Sequence, residues 1–111
     1  MSFNLPSNYL SLIRRRAKAQ GYNPNDLHLA DDGIHKAVMT DGDRNIKFGR
    51  LGYGDYELFK IMEQDRQIPK GEAQKHRTNY LNRSAGIKGD WASDKYSPNM
   101  LARKILWSYN I

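Results

Sequence analysis

The chain has 111 residues, 39% of them hydrophobic, with a formal net charge of +6 and no cysteine. That length fits one domain with a modest core, and the missing cysteines exclude disulfides and thiolate zinc sites. No stretch approaches the roughly 18 apolar residues of a membrane helix, and Met1–Leu5 show no cationic run leading into an apolar one, so a soluble chain without a signal peptide is expected.

Residues 1–6 read as an extended arm, and residues 7–111 as a single α+β domain. Ser7 is placed to cap a helix running to about Gln20. Tyr9, Leu10, Ile13 and Ala17 fall on one side of it, while Arg14, Arg15 and Lys18 fall on another. Gly21 is a helix stop, and Asn23-Pro24-Asn25-Asp26 a turn. Three short strands follow, over 27–30, 34–40 and 44–49. Asp41-Gly42 between the last two predicts a type I′ hairpin turn, with Ile46 and Phe48 on one face of the return strand. The economical reading is a small three-stranded antiparallel meander.

Gly49, Gly52 and Gly54 make the next loop permissive. Asp55 then caps a helix to about Arg66 carrying Leu58, Phe59, Ile61 and Met62, and Ile68-Pro69 breaks it. A third helix is predicted from Lys70 to Ser84, with Ala73, His76, Tyr80 and Leu81 on one side. Residues 86–96 form a polar loop around Trp91. Ser97-Pro98 starts a fourth helix, whose Leu101, Ala102, Ile105 and Leu106 are predicted to seat in the core beside Ile61 or Phe59.

Few of these residues spell out chemistry. Asp41-Gly42-Asp43 opens like a calcium loop, but Ile46 stands where glycine is needed and Gly52 where a bidentate acid is needed. Gly49-x-x-Gly52-x-Gly54 lacks the Lys-Ser/Thr pair of a P-loop and the dinucleotide spacing, and Asp55 would repel an anion there. His28 and His35, on adjacent predicted strands, have no third ligand. His76 lies between Lys75 and Arg77, a setting for charge repulsion rather than a proton relay. No nucleophile stands in a recognisable context, and Asn82-Arg83-Ser84 is a glycosylation sequon only on paper. No catalytic residue, metal or cofactor is expected.

Binding is the better-supported class. The positive charge suits nucleic acid, anionic lipid or acidic protein surfaces without separating them. Arg14, Arg15, Lys18, Lys75, Arg77 and Arg83 are the candidates for phosphate contact, with a solvated face as the plain alternative. Tyr53, Tyr56, Tyr80, Tyr96, Trp91, Trp107 and Tyr109 are many for a small core to hide, so some are expected to pack on neighbours. Tyr53, Arg77, Tyr80, Arg83 and Trp107 are the partner-binding candidates, because Tyr, Trp and Arg carry interface energy.

One ordered pattern carries more information than any single piece. Lys47-Phe48-Gly49 is followed by Gly52-Tyr53-Gly54-Asp55-Tyr56. Then come Lys75-His76-Arg77-x-x-Tyr80-Leu81-x-Arg83-Ser84, Ser97-Pro98 and Leu106-Trp107. Over residues 34 to 107 this resembles a family of small basic proteins of tailed phages and large icosahedral DNA viruses. The usual member has Arg-His where this chain has Arg83-Ser84, which removes a histidine and weakens any catalytic role built on the resemblance. The resemblance implies a virion structural protein, a minor capsid or capsid-associated component. It would be made in the host cytoplasm, bind other virion proteins such as the major capsid protein, and be oligomeric through the assembly. The alternative is a viral nucleic-acid-binding protein contacting the phosphate backbone.

Overall fold

A computed structural model describes residues 5–107. Helix α1 spans Tyr9–Ala19. Tyr9, Ile13 and Ala17 recur every fourth residue on one stripe, and all three are fully buried. The helix ends in a Schellman motif. Tyr22 N–H donates to the Ala17 carbonyl at 2.9 Å and Gly21 N–H to the Lys18 carbonyl at 3.1 Å. Gly21 supplies the left-handed φ of +87° that this motif demands. The expected Ser7 cap is corrected: Asn8 takes the cap position and makes no side-chain cap hydrogen bond. Of the expected arm, residues 1–4 lie outside the described residues, and Leu5 packs against the core.

Strands β1 (Leu27–Leu29), β2 (Ala37–Asp41) and β3 (Arg44–Phe48) form an antiparallel sheet in the order β1-β2-β3. Leu27 pairs with Met39, and Ala37 with Phe48. Alternation along the strands puts these four side chains in the core. Each strand ends within one residue of expectation, at Leu29, Asp41 and Phe48, but the start of the second strand and the hairpin turn differ. The second strand starts at Ala37, because Asp32 Oδ1 accepts the backbone N–H groups of Ile34 and His35 and curls that segment into a loop. Ile34 is left 55% exposed. The hairpin turn is Gly42-Asp43, since Asp41 pairs with Arg44. Gly42 has a φ of +62° and Asp43 none above zero, the pattern of a II′ turn rather than the I′ turn expected.

Helix α2 spans Tyr56–Gln64 and helix α3 Glu72–Ala85. They pack on each other as a helical hairpin, joined by a loop in which Arg66 has a φ of +59°. Helix α3 begins at Glu72, two residues later than expected, after a Gly71 at the N-cap whose φ is +95°. Helix α4 covers Pro98–Leu101 and continues as a π-helical segment, Ala102–Leu106. Ser97 Oγ caps it by accepting Met100 N–H at 3.2 Å. Leu101, Ile105 and Leu106 are buried against the α1 stripe and the sheet. Phe59 reaches the edge of this core, whereas Ile61 does not join it. Over the described residues the result is an α+β globule with four α-helices and one three-stranded antiparallel sheet.

Candidate functional site

The residues after β3 cannot continue as a strand, because the chain must pass directly beneath the last helix. A Cβ on Gly49 would sit 2.7 Å from Leu106 Cδ1 and 3.2 Å from Lys36 Cβ, and its φ is +73°. Only glycine satisfies both conditions. The loop is then tied to the segment before β2, where Leu51 N–H donates to the Ile34 carbonyl at 2.9 Å.

At the end of the loop stands Asp55, 1% exposed. Its Oδ1 accepts Leu58 N–H at 3.0 Å and so caps α2, as its position predicts. Its Oδ2 accepts Lys36 Nζ at 2.8 Å and the Tyr9 hydroxyl. Lys36 is itself 2% exposed. One carboxylate therefore ties α1, the segment before β2 and α2 into a single unit, with a buried cation as its counterion. Burial, followed by the charge of Asp55, pushes the Tyr9 hydroxyl far above its ordinary value, so Tyr9 is a neutral donor.

Above this unit lies a solvent-open cleft of about 1110 Å³ between the glycine loop, α2, α3 and the last helix. Its aromatic wall is built from two stacks. Tyr80 lies on Trp107 with ring centroids 4.4 Å apart, and Phe59 on His76 at 4.0 Å. Tyr53 stands at the mouth, 63% exposed. Arg50 lies over the Tyr53 ring at 5.7 Å and Arg83 over the Tyr80 ring at 5.6 Å. Asp55 is the only carboxylate among the lining residues, and Lys36 neutralises it. Neither Arg50 nor Arg83 belongs to an ion pair among the described residues. The cleft therefore presents two uncompensated positive charges beside aromatic surface. Burial raises the Tyr80 pKa against the opposing pull of Arg103 and Arg83, so this ring too keeps its proton.

Of the partner-binding candidates, Tyr53, Tyr80, Arg83 and Trp107 all line this one cleft. Trp107 is only 8% exposed, so it forms the floor of the cleft rather than an exposed anchor. Arg77 does not line it: its Nε donates to the Trp107 carbonyl at 2.9 Å and its guanidinium lies over Tyr56. Arg50 is a cleft residue that sequence reasoning passed over, and Phe59 and His76, read there only as helix-face residues, also line the cleft. Arg50 sits within the glycine loop, and that position was the available signal.

The basic candidates are divided between helices with different neighbours. Arg14 is committed to the fold, with its Nε donating to the Leu27 carbonyl at 2.8 Å. Arg15 and Lys18 on α1 and Lys75 on α3 are exposed and outside the cleft. His28 and His35 do not face each other from adjacent strands. His28 meets Arg14, and His35, in the loop before β2, bonds Asp32 at 2.6 Å. Among the described residues no three His, Asp or Glu side chains converge as a metal site, and no helix is long and apolar enough to cross a membrane.

No protein-family model, no curated protein and no solved structure matches the chain.

Proposed function

We propose that this protein is a virion structural component, a minor capsid or capsid-associated protein that binds other virion proteins through the aromatic and arginine-lined cleft. The observation that carries a binding role is the convergence of Tyr53, Tyr80, Arg50 and Arg83 on one concave surface. These are the residue types that concentrate binding energy, because each joins a large contact area to directed hydrogen bonds. The viral setting rests on the ordered residue pattern over 34–107. The chain is made in the host cytoplasm, acts in the particle and performs no catalysis on this reading. The major capsid protein is the first partner to examine.

A second reading has its own observation. Arg15, Lys18 and Lys75 are exposed and make no ion pair among the described residues, which suits contact with nucleic-acid phosphates. Quantifying the chain in purified particles separates the two. A structural component stays at a fixed ratio to the major capsid protein through washes at about 1 M salt, where long-range charge attraction is screened. A chain that washes away, and whose DNA affinity falls steeply with salt, supports the nucleic-acid reading instead.

A further inference from the structure

We infer that the cleft receives an acidic segment of a partner protein, one that carries carboxylates for Arg50 and Arg83 and an apolar or aromatic side chain for the ring-lined interior. This deepens the protein-binding reading above and rests on it.

Charge selects the sign of the occupant. Lys36 and Asp55 cancel each other inside the fold at 2.8 Å. Arg50 and Arg83 remain, each held over a tyrosine ring. A ring beneath a guanidinium leaves the edge of its planar fork free to take a carboxylate.

Shape and ring geometry select a polypeptide over a nucleic acid. Single strands use successive aromatic platforms along a basic track. Here Tyr80 and Trp107 are stacked on each other, as are Phe59 and the exposed His76, so of the phenylalanine, tyrosine and tryptophan rings lining the cleft only Tyr53 is exposed and unstacked. The exposed cations Arg15, Lys18 and Lys75 are not among the lining residues, so no basic track leads through the cleft.

The test uses the full chain and fluorescence anisotropy at about 0.15 M salt, where diffuse surface attraction is reduced. The probes are a labelled glutamate–tyrosine copolymer, polyglutamate and single-stranded oligodeoxythymidine. Saturable binding of the glutamate–tyrosine copolymer, tighter than that of polyglutamate, is expected. Arg50→Glu with Arg83→Glu should weaken it by about tenfold or more, while Arg15→Glu with Lys18→Glu leaves it unchanged. If the double cleft variant does not fold, Arg50→Gln and Arg83→Gln singly should each weaken binding.

Equal loss in the α1 variant would overturn the inference, as would no binding of the copolymer, or cleft-dependent binding of the oligonucleotide that is tighter than that of the copolymer. The virion reading fails separately, if the wild-type chain is absent from salt-washed particles whatever the copolymer does.

Discussion

Asp55 accepts hydrogen bonds from three parts of the chain, and its ion pair with Lys36 is almost wholly shielded from water. Removing one member leaves the other charge buried without compensation. Lys36→Met should therefore cost about 3–5 kcal/mol, measured by urea denaturation. Adding Asp55→Asn to it should recover part of that loss, because the stranded carboxylate is gone. Additive losses in the double variant would show that the two side chains are not coupled.

Gly49 is a second residue-scale constraint. Gly49→Ala meets both the left-handed φ and the Leu106 contact, so it should destabilise by about 1–3 kcal/mol. Unchanged stability would contradict the close passage under the last helix.

Asp32 gives the pH dependence. Hydrogen bonds from the His35 backbone, the His35 side chain and the Ile34 backbone hold its carboxyl well below the usual range. A depressed folded value means that its contribution is present above the unfolded value of about 3.9 and is lost as pH falls through the folded one. A carboxyl carbon NMR titration should find Asp32 still ionised at pH about 3, where an ordinary aspartate is largely protonated. His35→Ala should move it only part of the way back, since the two backbone donors remain.

At the scale of elements, Leu106 tests how the last helix is seated. It is 2% exposed, and Leu106→Ala should cost roughly 2–4 kcal/mol. A loss below about half a kcal/mol would be the behaviour of a surface side chain.

Local signals made several elements legible in the sequence. Asp55 and Ser97-Pro98 announce helix starts, and Gly21 a helix end, through backbone geometry that involves only adjacent turns. The meander was legible from alternation and from Gly42, although the turn type was not, because Asp-Gly suits I′ while the register here puts Gly first. The π-helical segment was hidden, since Leu101, Ala102, Ile105 and Leu106 also fit an ordinary helix. Lys36 and Arg103 were missed for a different reason. Charged residues default to the surface, and these two are buried through partners distant in sequence. Lys36 finds Asp55, and Arg103 donates to the Leu81 carbonyl and Ser84 Oγ at 2.8 and 2.6 Å.

The same limit governs the site. Tyr53, Tyr80, Arg83 and Trp107 stood out by residue type, but which of them meet depends on how the α2–α3 hairpin folds over the glycine loop.

At the scale of the whole molecule, the core is built by α1, the sheet and the last helix, and the α2–α3 hairpin adds a wall that leaves a cleft instead of closing it. The fold has neutralised the carboxylate at its base and left two arginines unneutralised. That arrangement suits recognition of an acidic partner, and on the proposed reading that partner belongs to a virus particle. The most direct measurement is quantitative mass spectrometry of salt-washed particles assembled with the wild-type chain or with Arg50→Glu and Arg83→Glu together. The wild-type chain should appear at a fixed ratio to the major capsid protein, and the variant, folded by circular dichroism, should fall by about tenfold. Equal incorporation of the two chains would contradict the cleft as the docking site, and absence of both would contradict the virion role itself.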